Sequence, residues 1–117
     1  MSQVAGMEGW GTMKKLVKVA VVGGNNMRVN DKTVQLVALN LLQLRAGEVI
    51  VTGTGGGALI GEKAAYQEQI PNVIMSGIKL AERADMLIAL PGGATTRNYV
   101  KMFKDANKKV VEIEVGK

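Results

Sequence analysis

The chain has 117 residues, a formal charge of +5, no histidine and no cysteine; that length supports one domain with a single core. The missing residue types exclude the commonest general base, disulfides, thiolate nucleophiles and the usual zinc ligands, so no metal site is expected. No basic start followed by an apolar run marks a signal peptide, and no apolar run approaches the ~20 residues that span a bilayer, so a soluble cytoplasmic protein without a membrane partner is expected.

Residues 1–13, with three glycines and no periodicity, read as a flexible arm before a single domain over 14–117; Trp10 would pack on a neighbouring surface. Leu16 to Val22 is β-branched and nearly continuous, as in a central parallel strand covered on both faces. The polar turn Gly23-Gly24-Asn25-Asn26 follows, with Arg28 just beyond it. Asn30 or Asp31 can cap a helix over Lys32–Arg45, whose core stripe is Val34, Val37, Ala38, Leu41 and Leu42. Leu36, Leu39 and Leu44 widen that stripe beyond what one sheet face needs, which points to a subunit interface and a homo-oligomer.

Glu48 to Thr52 reads as the second strand, followed by Gly53-Thr54-Gly55-Gly56-Gly57 and a helix from about Ala58 to Gln69. The glycine run suits either phosphate cradling or tight packing. It is not the dinucleotide fingerprint: position 58 is Ala, and no acidic residue closes a following strand at the required distance.

Residues 70–84 are placed by topology. The helix ending near Gln69 returns the chain to the edge where parallel strands begin, and one helix over 71–84 would carry it about 21 Å to the wrong edge. A short edge strand, Asn72 to Met75, followed by a helix over Gly77–Ala84 capped by Ser76, restores the normal right-handed crossover.

Met86 to Leu90 reads as a buried strand ending abruptly in Pro91-Gly92-Gly93. A helix with Thr95 or Thr96 at its start follows, running over Arg97–Asn107 with Val100 and Phe103 inward; Val110 to Val115 closes the sheet. The alternation predicts an α/β, Rossmann-like doubly wound parallel sheet of four to five strands, order 3-2-1-4-5. Its ligand crevice would lie at the carboxyl edge, between the Gly23 and Pro91 loops. Glycines there let backbone approach a ligand, and the first turn of the next helix offers free N–H groups to an anion. The candidate ligand residues are Gly23, Gly24, Asn25 and Arg28 in the first loop and Gly53, Thr54, Gly55 and Gly56 in the second. Pro91, Gly92, Gly93, Ala94, Thr95, Thr96 and Arg97 complete the set from the third. Arg28 and Arg97 are the cations at this edge, suited to phosphate or carboxylate. Lys14, Lys15, Arg45, Arg83, Lys104, Lys108 and Lys109 fall at the opposite, amino edge, where they complement helix C-termini.

A-D-M-L-I-A-L-P-G-G-A-T-T-R-N-Y-V, followed by K-K-V-V-E-I-E-V, resembles the SLOG superfamily of Rossmann-like nucleotide-ligand proteins, in particular its YspA-like branch with the string A-D-x-x-I-A-F-P-G-G-x-G-T-x-N-M-V. The superfamily includes the cytokinin-activating phosphoribohydrolases, DprA and nucleotide sensor domains. The likeness is specific over 84–115 and looser at the two earlier glycine turns. In the phosphoribohydrolase pattern P-G-G-x-G-T-x-x-E, the glycine after the variable residue is Thr95 here and the closing Glu is Tyr99. An Arg of that family, nine residues before the A-D aspartate, is Ser76 here. The resemblance therefore implies a retained phosphate pocket whose known catalytic residues are gone.

The expected function is binding of a nucleotide or nucleotide-derived phosphate ligand, as sensor, carrier or sequestering protein, with no cofactor assigned beyond that bound nucleotide or phosphate. The alternative is a nucleotide-processing enzyme of phosphoribohydrolase type that recruits Glu62 or Asp31. Nucleic-acid binding is the third reading, disfavoured by the few aromatics and by lysines placed on the wrong edge. A purely structural assembly role is the last, suggested by the wide Leu stripe.

Overall fold

The computed structural model describes residues 16–53 and 55–114. The expected arm, Trp10, Lys14, Lys15, Thr54 and Val115 lie outside those residues. Five strands, β1 (Val17–Val22), β2 (Ala46–Val51), β3 (Asn72–Ile74), β4 (Met86–Ala89) and β5 (Lys109–Glu112), alternate with four helices. These are α1 (Asp31–Leu44), α2 (Gly55–Gln67), α3 (Gly77–Arg83) and α4 (Ala94–Asp105). All strand pairs are parallel, in the order β3-β2-β1-β4-β5.

The strands are apolar on both faces because each face carries a helical layer. Val19, Val21, Val49, Val51, Ile88 and Leu90 pack with α1 and α2 through Val37, Leu41, Ile60 and Ala64. Ala20, Val22, Ile50, Leu87 and Ala89 point the other way and meet Leu80, Tyr99 and Phe103 of α3 and α4. The small Ala20 and Ala89 leave room on that face for the fully buried Phe103.

The element boundaries move in instructive ways. Asn30 is the cap of α1: its Oδ1 accepts the Thr33 N–H at 2.9 Å and the Thr33 hydroxyl at 3.0 Å. Arg45, expected inside that helix, adopts φ 61° and turns the chain into β2, which starts at Ala46 rather than Glu48. Leu42, expected in the core stripe, is 55% exposed, because Leu41 takes the inward direction and its neighbour is rotated about 100° away. A three-residue shift falls at α2, which begins at Gly55 instead of Ala58, so three glycines expected in a loop are helical. Likewise α4 starts at Ala94, not Arg97.

At the amino edge the basic residues are engaged. Arg83 makes a two-pronged bond to Glu48, with both N···O distances 3.0 Å, and this holds the Glu48 carboxyl below its ordinary range. The Lys108 ammonium donates to the carbonyls of Ala81 at 2.7 Å and Ala84 at 2.8 Å, capping the end of α3. Among the described residues no helix is long and apolar enough to cross a membrane.

Candidate functional site

β1 and β4 are neighbours whose following segments leave in opposite directions across the sheet, one to α1 and one to α4, and a crevice opens at their carboxyl ends. The two loops touch directly: the Gly24 N–H donates to the Pro91 carbonyl at 2.9 Å. Gly92 lies against this bond. A Cβ on it would collide with the Thr96 Oγ1 and stand 2.8 Å from the Gly24 nitrogen, so only glycine lets the loops close this far. The space above them is a cavity of about 910 Å³. It is lined by Val22 and the loop Gly23–Met27, by Pro91–Thr96 and Tyr99, and by Thr52 and Ser76 from the ends of neighbouring strands.

The start of α4 faces this space with its donors free. Its cap residue, Gly93, offers no side chain, and among the described residues the N–H groups of Ala94, Thr95 and Thr96 meet no backbone or side-chain acceptor; the first internal bond is Arg97 N–H to Gly93 carbonyl at 3.1 Å. Thr96, 6% exposed as a residue, lines the cavity and adds a hydroxyl that has no partner among the described residues. The partial positive charge of a helix N-terminus and a buried unpaired hydroxyl therefore converge on one spot.

The candidates divide accordingly. Gly23, Gly24, Asn25 and the run Pro91, Gly92, Gly93, Ala94, Thr95 and Thr96 line the cavity. Arg28 and Arg97 are exposed and do not, so the expected counter-charges stand outside. Gly53, Gly55 and Gly56 do not line it either, and the reason is hydrogen bonding. The Gly56 N–H donates to the Asn25 carbonyl at 2.9 Å and the Gly57 N–H to the Gly24 carbonyl at 3.1 Å. The donors that a phosphate would need are used to hold the first loop. A Cβ on Gly57 would stand 2.5 Å from the Gly23 backbone, so this glycine run is close packing of helix on loop.

Asn26, the last residue of the first glycine turn, also lines the cavity, and Val22, Met27, Thr52, Ser76 and Tyr99, which are not among the candidates, complete the lining. Two of them carried a signal, since Ser76 and Tyr99 are the positions where the resemblance places catalytic Arg and Glu. Tyr99 is 7% exposed, and its phenol oxygen accepts the Gly77 N–H at 2.7 Å. Among the described residues no Asp, Glu, Lys or Arg lines the cavity. Asp31 and Glu62, the carboxylates nearest in sequence, face a separate groove with Lys63 and Tyr66 on the α1–α2 side. Among the described residues no cluster of three acidic, His or Cys residues could hold a metal.

Fold and crevice together define a Rossmann-like α/β protein with its cleft at the switch point of a parallel sheet. No protein-family model, no curated protein and no solved structure matches the chain.

Proposed function

We propose that this chain is a binding protein of the SLOG type that holds the phosphate of a nucleotide or nucleotide-derived ligand on the first turn of α4. The observation that carries this reading is the convergence of the three free N–H groups of α4 with the buried, unpaired Thr96 hydroxyl in one cavity. Binding without turnover fits the same lining. Cleavage of an N-glycosidic bond draws on a carboxylate at the reacting centre, and among the described residues none lines the cavity.

A thermal-shift panel of nucleoside mono- and diphosphates, ADP-ribose and ribose 5-phosphate tests the proposal, repeated on Gly93→Asp. Position 93 has open space for a side chain, and an Asp there would cap Thr95 and Thr96 while placing a negative charge where the phosphate sits. The expected result is a ligand-induced rise in melting temperature that Gly93→Asp abolishes without loss of the fold. A panel with no shift, or a shift that survives Gly93→Asp, overturns the site.

We further propose that the chain self-associates through α1. Leu39 and Leu42 are about half exposed, and with Leu36 they line a shallow groove that has Lys32 and Glu68 on its rim. One rim cation and one rim anion make such a face complementary to a second copy of itself. Sedimentation should give a dimer mass for the wild type and a monomer mass for Leu39→Glu.

A further inference from the structure

Tyr99 stands one turn along α4 from Thr96, on the same face, and its side chain leans back toward the helix start. Its phenol oxygen is already occupied as an acceptor, by the Gly77 N–H at 2.7 Å. What remains is the O–H. That proton has no acceptor among the described residues, and Tyr99, a residue more than nine-tenths buried, lines the cavity. A buried donor left unpaired loses its solvation with nothing in return, and folded proteins rarely leave one so.

We propose that Tyr99 is a specificity-determining donor that reads an oxygen acceptor on a second phosphoryl group, so that the site prefers diphosphate-bearing ligands to monophosphates. This rests on the phosphate site at the start of α4 and extends it. Along α4 the groups that line the cavity are donors: backbone N–H groups at Ala94 and Thr95, and one turn on the phenol of Tyr99. A sugar diol against Tyr99 would look for a carboxylate to receive its protons, and among the described residues none lines the cavity. A second phosphoryl group asks only for donors, and Ser76, which also lines the cavity, carries another in its hydroxyl. Where the phosphoribohydrolase pattern has a Glu, which accepts, this chain has a phenol held so that it donates; the polarity of the position is inverted.

Titration calorimetry with inorganic phosphate and with pyrophosphate, on wild type and Tyr99→Phe, tests the assignment. The wild type should bind pyrophosphate roughly tenfold more tightly than phosphate, the effect of one hydrogen bond to a charged group. Tyr99→Phe should lose that preference and keep its phosphate affinity. A second readout needs no variant: pyrophosphate should move the Gly77 amide proton downfield and phosphate should not, because a phenol whose O–H is engaged becomes a better acceptor for the bond behind it. Equal affinities in the wild type, equal losses for both anions in Tyr99→Phe, or an unmoved Gly77 resonance overturn the proposal and leave the phosphate site standing. Failure of either anion to bind overturns both.

Discussion

The phenol of Tyr99 receives the backbone N–H of Gly77 at 2.7 Å, across 22 residues of sequence. The bond caps a helix whose own cap residue, Ser76, makes no side-chain bond, and it ties α3 to α4 at the cavity. Tyr99 thus serves the fold through its oxygen and also lines the cavity.

Tyr99→Phe keeps the ring and removes the acceptor from Gly77, which is half-buried and can recover part of the loss from solvent. The expected cost is about 1 kcal/mol, read as a lower urea midpoint with unchanged slope. A stability equal to wild type would show that the bond is not formed in solution.

Neighbouring glycines of the third loop should respond oppositely to Ala. Gly92→Ala drives a methyl into Thr96 and the Gly24 nitrogen and should cost about 1–3 kcal/mol. Gly93→Ala meets nothing within 4 Å and should stay within about 0.5 kcal/mol of wild type. Denaturant melts of the two variants side by side decide this.

Lys108→Met should destabilise the protein on the α3–α4 side, chiefly at the end of α3, with the loss of the ammonium over the Phe103 ring of α4 adding to it. Its ammonium serves the Ala81 and Ala84 carbonyls at the end of that helix, and Met keeps most of the apolar stem. Hydrogen exchange should rise at the Ala84 amide, which bonds to Leu80, and should be unchanged in the α1–α2 layer.

Acid sensitivity should trace partly to Glu48. The hydrogen bond from Arg83 lowers its carboxyl in the folded state, with desolvation opposing and the Arg83 and Lys18 charges assisting. A depressed folded-state value means that the stabilisation is present above the unfolded value of about 4.3 and is lost as pH falls through the folded one. Glu48→Gln should therefore flatten the acid limb of stability below about pH 4.3 and leave its alkaline limb unchanged. The pair is partly exposed, so the effect is small and shrinks further in salt.

Arg97→Ala should leave ligand affinity within about twofold, because Arg97 does not line the cavity and a surface charge acts there only through solvent. Calorimetry with any ligand that shifts the wild type checks it.

Local rules of sequence carried the architecture. Continuous β-branched runs, glycine exits and the spacing of Val34, Val37 and Leu41 determined the parallel sheet, and the single permitted direction of crossover placed the short β3 and the order β3-β2-β1-β4-β5. The same rules located the Gly23 and Pro91 loops on one edge. What they could not rank was two glycine runs that look alike one residue at a time. Whether a backbone N–H is free depends on what lies opposite it, and that is a tertiary fact. Gly56 and Gly57 spend theirs on the Gly24–Asn25 backbone, whereas Ala94, Thr95 and Thr96 keep theirs. Side-chain reach was equally invisible: Arg28 and Arg97 sit at the right edge and point away, while Ser76 and Tyr99, distant in sequence, meet in the cavity. The chain alone determined at which edge of the sheet a crevice must form; only the packing of one loop against another decided which of its donors remain unpaired.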